Sequence, residues 1–174
     1  MNLILFGFKH CGKTTYGRKL AKQLVCPFID TDLLLEQAYA LKTNEPLTCR
    51  QMYQHLGEAA FRALETKTLE TLCTVQNSII AVGGGMVLNP LNVALLYQIG
   101  TLVHLILDDE TLKNRTLTNE LPAYLDQADK EGSFNQLVKE RKAIYASIRA
   151  HPLLLKSKSD DEILAELKEL ANGK

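Results

Sequence analysis

The fold of this chain is decided by one stretch, Gly7-Phe8-Lys9-His10-Cys11-Gly12-Lys13-Thr14. It matches the pattern G-x-x-x-x-G-K-[ST] of the phosphate-binding loop, or P-loop. In this pattern the glycines let backbone N–H groups turn toward an anion, the lysine neutralises phosphate charge, and the final hydroxyl ligates Mg²⁺. The stretch therefore predicts a nucleotide site that is formed by Gly7, Gly12, Lys13 and Thr14, with Thr15 beside them.

The flanking residues place this loop between a strand and a helix. Residues 2–6 are a short apolar run that predicts a buried strand, and residues 15–25 have helical spacing. A phosphate bound there lies at a helix N-terminus, where free N–H groups and the helix dipole favour negative charge. The alternative interpretation is a glycine-rich turn that binds nothing, and the strand–helix context argues against it.

Length and composition limit the possible classes of protein. A chain of 174 residues predicts one domain over residues 1–174. The 20 basic and 20 acidic side chains cancel, so the charge gives no reason to expect a nucleic-acid or membrane-surface partner. No apolar run approaches membrane-spanning length and no secretory signal pattern is present, so we expect a cytoplasmic protein. The four cysteines are widely spaced without a C-x-x-C pair, which favours free thiols.

The order of the predicted elements gives the fold class. Further apolar runs at 28–29, 79–82, 101–107 and 152–155 predict strands, and helical patterns separate them. This alternation is typical of an α/β fold, a parallel five-stranded sheet with helices on both faces and an active site along the carboxyl edge. The helices show one polar and one apolar face without a spare apolar stripe, so we expect a monomer.

Two groups of residues follow directly after predicted strands. Asp30 and Asp32 end the second strand, and we expect the two carboxylates to point in opposite directions, one toward the Mg²⁺ region and one toward a substrate hydroxyl. The alternative is that Asp32 caps the following helix. Gly83-Gly84-Gly85 follows the strand at 79–82 and allows close backbone approach to a ligand, with a flexible turn as the alternative.

Two further features lie on predicted helices or between them. Arg62 has Glu58 four residues before it and Glu65 three residues after it, a spacing typical of a salt-bridged surface arginine. Residues 116–133 are polar and irregular in pattern. Phosphoryl transfer needs a segment that closes over the phosphates and excludes water, so we predict a lid over 116–133.

Five motifs occur in one order along the chain: the P-loop, Phe28-Ile29-Asp30-Thr31-Asp32, Gly57-Glu58-x-x-Phe61-Arg62, Val82-Gly83-Gly84-Gly85 and Arg141-x-x-x-Tyr145. In this combination the chain resembles the shikimate kinase family over nearly its whole length. The resemblance implies a three-layer P-loop kinase fold with a mobile lid and a substrate-binding helical segment at 33–62. It also implies ATP-dependent phosphorylation of the 3-hydroxyl of shikimate, in aromatic amino-acid (chorismate) biosynthesis.

The resemblance implies roles on the nucleotide side. Lys13 contacts the β- and γ-phosphates of ATP and takes part in catalysis. Thr14 ligates Mg²⁺, and Asp30 lies near the metal. Lys158 falls in a segment that matches the adenine-side loop of the family, so we expect it to contact the nucleotide.

The resemblance also implies roles on the substrate side. Asp32 holds hydroxyls of shikimate and orients or accepts the proton of the attacking 3-hydroxyl, which makes it a catalytic residue. Two arginines grip the shikimate carboxylate, and they match Arg62 and Arg141. The triple-glycine loop lines the substrate pocket, so its members carry over as substrate-binding residues: Gly83, Gly84 and Gly85.

The lid departs from the family. Its usual Arg-Pro-Leu-Leu, whose arginine reaches the transferring phosphate, is replaced here by Asn119-Glu120-Leu121-Pro122-Ala123-Tyr124-Leu125. Pro122 fits, but no arginine precedes it. Arg115 matches a second family arginine near the nucleotide, so we predict that it binds nucleotide and carries part of the catalytic load. Lys130 is another cation of the predicted lid.

Two alternatives to a shikimate kinase stay open on the sequence. One is another small-metabolite P-loop kinase, such as a gluconate kinase. The other is a module that binds nucleotide and shikimate but has lost turnover, and the missing lid arginine is the feature that favours it. The intact set of Lys13, Thr14, Asp30 and Asp32 argues against lost turnover.

Overall fold

The computed structural model describes residues 1–119, 125 and 128–173. Within these residues five strands form one sheet, in which they are parallel and ordered β2-β3-β1-β4-β5. The predicted parallel sheet of five strands is therefore confirmed. The strands are β1 (Leu3–Phe6), β2 (Phe28–Asp30), β3 (Ile79–Ala81), β4 (Thr101–Ile106) and β5 (His151–Leu154).

The described residues also form eight α-helices, which alternate with the strands except that three helices follow β2 and two follow β4. A 3₁₀ turn, Met86–Leu88, follows the triple glycine. The helices are α1 (Lys13–Leu24), α2 (Thr31–Thr43), α3 (Cys49–Leu56), α4 (Glu58–Thr71), α5 (Pro90–Ile99), α6 (Asp109–Thr118), α7 (Lys130–Ser147) and α8 (Asp160–Ala171).

Helices cover both faces of the sheet. Side chains of β1 alternate between them, with Leu3 and Leu5 on one face and Ile4 and Phe6 on the other, as expected for a strand buried on both sides. Residues of α1 and α8 pack on the first face, and residues of α4, α5 and α7 pack on the second. The predicted three-layer arrangement is confirmed.

A separate apolar cluster joins the three helices that follow β2. It contains Leu35 of α2, Met52 of α3 and Phe61 of α4. Thr48 begins α3 with a capping box, in which its hydroxyl accepts from the Gln51 N–H and the Gln51 side chain accepts from the Thr48 N–H. This cluster holds the predicted substrate-binding segment beside the carboxyl end of β2.

The predicted lid begins and ends in helix. Residues 116–118 belong to α6 and 130–133 belong to α7, so the expectation of irregular structure is wrong at these positions. Leu125, inside the predicted lid, is buried in the core of the second face. Positions 120–124 and 126–127 lie outside the described residues, and the lid as a functional element stays a prediction. Among the described helices, none combines the length and apolar character needed to cross a membrane.

Candidate active site

The P-loop connects β1 to α1 in a tight turn. Gly7 has φ of +147° and Gly12 has φ of +106°, values that residues other than glycine rarely adopt. A Cβ at Gly7 would also lie 2.6 Å from the carbonyl oxygen of Leu105. The Lys13 ammonium donates to the carbonyl oxygens of Gly7 at 3.1 Å and Phe8 at 2.8 Å. The loop is therefore wrapped around this lysine at the N-terminus of α1.

A cavity of about 410 Å³ opens beside the P-loop. Its lining includes most of the residues that were predicted to bind nucleotide: Gly12, Lys13, Thr14, Thr15 and Arg115. Arg115 reaches it from α6 and donates to the carbonyl oxygen of His10 at 3.3 Å. Lys158 is not in this lining, and its ammonium forms an ion pair with Glu166 of α8. Gly7 is not in the lining either, but its carbonyl oxygen accepts from Lys13, so of the predicted nucleotide residues only Lys158 lies apart from this group.

Two oxygen ligands meet at one side of this cavity. The Thr14 hydroxyl donates to the Oδ2 atom of Asp30 at 2.8 Å. Hydroxyl and carboxylate oxygens are the ligand type that Mg²⁺ prefers, and Mg²⁺ completes its shell with water and phosphate oxygens. The pair therefore fits a magnesium ion that is shared with a nucleotide.

The two aspartates differ in position, but not for the predicted reason. Residues two apart on a strand share a face, so the expectation of opposite directions on an extended segment is wrong. The chain instead leaves β2 at Asp30 and enters α2 at Thr31, which places Asp32 on a helix. Asp30, not Asp32, caps this helix, since its Oδ1 atom accepts from the Asp32 N–H at 3.1 Å.

A second cavity of about 130 Å³ lies between α3, α4 and the triple-glycine loop. The lining contains five of the six predicted substrate residues: Asp32, Arg62, Gly83, Gly84 and Gly85. A Cβ at Gly83 would lie 2.6 Å from the Asp32 carboxylate, and a Cβ at Gly85 would collide with the Arg62 guanidinium. The glycines are thus needed because two charged side chains approach the backbone here. This close packing disfavours a merely flexible turn.

Arg62 is salt-bridged, as its spacing predicts, and it also lines the cavity in which the resemblance places a substrate-binding arginine. Its Nη1 atom donates to Glu65 at 2.8 Å, and its Nη2 atom lies 3.5 Å from Glu58. The Arg62 side chain is only 19% exposed and that of Glu65 only 4%, so this is not a surface pair. Burial raises the pKa of Glu65, and the positive charges of Arg62 and Arg141 oppose that rise.

Arg141 lies on α7 and is almost fully buried, with 4% of its surface exposed. Its charge acts on Glu65 and on Tyr53, both of which line the second cavity. Arg141 itself is not in that lining. Its direct contact with a substrate carboxylate therefore stays a prediction.

The Asp32 carboxyl has the electrostatics of a proton acceptor. The residue is exposed overall, and its carboxyl group lies close to the backbone of Gly83. Burial raises the pKa of Asp32, the charge of Asp30 raises it further, and the charges of Lys13 and Lys9 oppose the rise. A raised pKa makes the carboxylate a better acceptor for a hydroxyl proton near neutral pH.

Among the described residues, three line both cavities: Lys9, Lys13 and Asp32. We call this set the junction. Sequence reasoning missed Lys9, because it occupies an unspecified position of the P-loop pattern. It also missed that the Tyr145 hydroxyl donates to the carbonyl oxygen of Gly84 at 2.6 Å, although the spacing of Arg141 and Tyr145 was recognised.

Comparison with known proteins identifies the family. The family model for shikimate kinase matches residues 9–172 of the chain. The chain belongs to the shikimate kinase family. This family prediction and the P-loop kinase fold are therefore confirmed, and the chain is an ATP-using phosphotransferase.

Individual members of the shikimate kinase family show how far the similarity extends. The shikimate kinase of Pelotomaculum thermopropionicum is 37% identical over 144 residues, covering 83% of this chain and 80% of its own. That of Streptococcus gordonii is 36% identical over 166 residues, covering 94% and 96%. The solved shikimate kinase of Acinetobacter baumannii, in complex with shikimate, aligns with a TM-score of 0.83 at 28% identity, covering 99% and 94%.

Proposed function

We propose that this chain transfers the γ-phosphoryl group of ATP to the 3-hydroxyl of shikimate, giving shikimate 3-phosphate for aromatic amino-acid biosynthesis. The observation that carries the proposal is the junction, where a P-loop cavity and a cavity lined by an arginine and a carboxylate meet. Family membership favours shikimate over gluconate as the acceptor.

On the nucleotide side, the chain supplies positioning and positive charge. The P-loop N–H groups and the N-terminus of α1 hold the phosphates, and Lys13 neutralises the outer ones. Arg115 approaches from α6 and adds positive charge to the lining of the cavity. Phosphoryl transfer requires little more from the protein than positioning and electrostatic stabilisation, because the protein forms no covalent bond to the transferred group.

The residues fit Mg²⁺ as the metal. Thr14 and Asp30 would hold it, and the ion would neutralise charge between the β- and γ-phosphates. The hydrogen bond between Thr14 and Asp30 keeps both oxygens in place for this role.

On the substrate side, the second cavity suits a small anionic polyol. Arg62 offers a guanidinium fork to a carboxylate, and Arg141 adds positive charge from α7. Asp32 accepts the proton of the 3-hydroxyl as its oxygen attacks the γ-phosphorus. The bond between the γ-phosphorus and the bridging oxygen breaks, and ADP leaves with those electrons. Paired in-line placement of the two reactants supplies much of the rate.

The same proposal includes the surroundings of the enzyme. We propose that it acts as a cytoplasmic monomer without nucleic-acid or membrane partners. The balance of 20 basic and 20 acidic side chains supports the absence of such partners. Light scattering of the purified chain measures its mass in solution. The mass of a monomer is expected, and the mass of a dimer would contradict the proposal.

ADP release tests the proposed function. The chain is incubated with ATP and Mg²⁺ alone, with shikimate, and with gluconate as a parallel acceptor. We expect turnover that depends on shikimate. Turnover with gluconate only would show that shikimate is the wrong acceptor. Binding of shikimate by calorimetry without turnover would favour the inactive binding module.

A further inference from the structure

Lys9 lies at the point where the two cavities meet. It is the third residue of the P-loop and lines both the nucleotide cavity and the substrate cavity. A Cβ at Gly84 would lie 3.5 Å from the Lys9 backbone nitrogen and 3.1 Å from the Gly7 carbonyl oxygen. The missing side chain of Gly84 therefore lets the P-loop approach the triple-glycine loop closely. This contact brings Lys9 to the substrate side.

The charge of Lys9 is not used by an ion pair in the described part of the chain. None of the ion pairs found there includes Lys9, whereas surface lysines such as Lys113 and Lys142 each face a carboxylate. Lys13 donates to two P-loop carbonyls. The positive charge of Lys9 acts on Asp32 across the junction, where it opposes the rise in the pKa of that carboxyl.

Phosphoryl transfer requires positive charge at this point. The negative charge of the moving group spreads over three oxygens, and cations held in place around them stabilise the transition state. Arg115 lines only the nucleotide cavity, and Lys130, the first residue of α7, lines neither cavity. The lid stretch at 119–125 contains no basic residue. Lys9 is the cation of the junction that has no assigned role.

We propose that Lys9 is a catalytic residue whose ammonium contacts the phosphoryl group as it passes from ATP to shikimate. The assignment rests on the proposed function. It gives the enzyme a cation within the P-loop itself, at the place where the transferring group is shared by the two cavities.

The test compares Lys9→Met with Lys9→Arg in single-turnover phosphoryl transfer. Methionine keeps the length of the side chain and removes the charge, while arginine keeps the charge. We expect Lys9→Met to slow transfer by about 10² to 10³-fold, the usual cost of removing one transition-state donor. Lys9→Arg should recover part of this loss. Calorimetric affinities for ADP and for shikimate should change little in both variants.

A matched control and a ligand that mimics the transition state complete the test. Lys67→Met removes an exposed lysine on α4 and should leave transfer unchanged. Aluminium fluoride should strengthen ADP binding in the presence of shikimate for the wild type, and this gain should be lost in Lys9→Met. A purely structural role would instead lower the melting temperature and leave the gain intact.

The outcomes separate this assignment from the proposed function. Wild-type turnover with shikimate together with normal transfer by Lys9→Met would overturn the assignment alone. Equal losses in Lys9→Met and Lys9→Arg, with weakened ADP binding, would also overturn it, since charge at the transition state would not be the cause. Absence of wild-type turnover with shikimate would overturn the proposed function and the assignment together.

Discussion

The nucleotide cavity and the substrate cavity share a wall but are built in different ways. Half of the residues that line the first cavity belong to one continuous stretch, the P-loop and the start of α1, which includes Lys13. The second draws charged side chains from α2 and α4 toward a glycine loop after β3. The comparison teaches that a local backbone geometry can be recognised as a motif, whereas a pocket of distant side chains requires the fold.

The two cavities should also respond differently to mutation. On the nucleotide side, function depends on charge that is directed at a ligand, so substitutions should reduce catalysis more than stability. On the substrate side, Arg62 and Glu65 hold each other in a buried pair, and removing one leaves the other without compensation. Substitutions there should reduce binding and stability together.

The largest effect is expected at Lys13. Lys13→Met removes the charge at the outer phosphates, and we expect kcat/KM for ATP to fall by about 10³-fold or more. Shikimate affinity should fall far less than kcat/KM for ATP, although Lys13 also lines the substrate cavity. The lost hydrogen bonds to Gly7 and Phe8 should lower the melting temperature modestly, and calorimetry and thermal unfolding measure both quantities. A comparable loss of shikimate affinity would break the distinction between the two cavities.

Asp32→Asn should reduce kcat by about 10² to 10⁴-fold, because it removes the proton acceptor and keeps the shape. The dependence of the rate on pH tests the direction of the Asp32 pKa shift. Because the pKa of Asp32 is raised, the wild-type rate should fall as pH drops, at a higher pH than for an ordinary aspartate.

The acid limb of that profile should vanish in Asp32→Asn, whereas Asp161→Asn on the exposed face of α8 should retain it. A limb that survives in Asp32→Asn would assign the titration to another group.

Arg62→Ala should raise KM for shikimate and lower kcat/KM by at least about 30-fold, while ATP binding survives. The buried Glu65 carboxylate loses its partner, so we also expect up to about 3 kcal/mol lower stability. Arg18→Ala, an exposed arginine of α1, is the control. Near-normal kcat/KM in Arg62→Ala would remove Arg62 from the substrate site.

Arg115→Ala should have a smaller effect, about 10-fold or more on kcat. Since Arg115 lines the nucleotide cavity, the ratio of losses decides its role. A larger loss in kcat than in ATP affinity would support a catalytic contribution, and equal losses in both would show that Arg115 only binds nucleotide.

The smallest effect is expected from Tyr145→Phe. It removes the hydroxyl that donates to the Gly84 carbonyl at 2.6 Å, and we expect about 1 kcal/mol lower stability. KM for shikimate should rise by less than about 10-fold, with KM for ATP unchanged. An equal rise in both constants would mean that the glycine loop supports the two cavities alike.

Much of the fold could be predicted from the sequence because its signals are local. The apolar runs of the strands, the glycines of the P-loop and the capping residues each act within a few positions. The prediction of irregular structure at the ends of the lid was wrong, because the polar composition at 116–118 and 130–133 did not reveal that α6 and α7 continue there.

The candidate site was predictable where the motifs specify residue types. The grouping of Asp32, Arg62 and the three glycines agrees with the predicted pocket, although their roles stay predictions. Lys9 could not be found, because the P-loop pattern allows any residue at its position. Its location depends on how closely Gly84 lets the two loops approach, which is a tertiary contact.

The central claim is that phosphate passes through the junction from one cavity to the other. Phosphorus NMR of the chain with ATP, Mg²⁺ and shikimate tests this most directly. We predict a phosphate ester on the 3-oxygen of shikimate that accumulates in equal amount with ADP. ADP with inorganic phosphate only, or an ester on a different oxygen, would contradict the account.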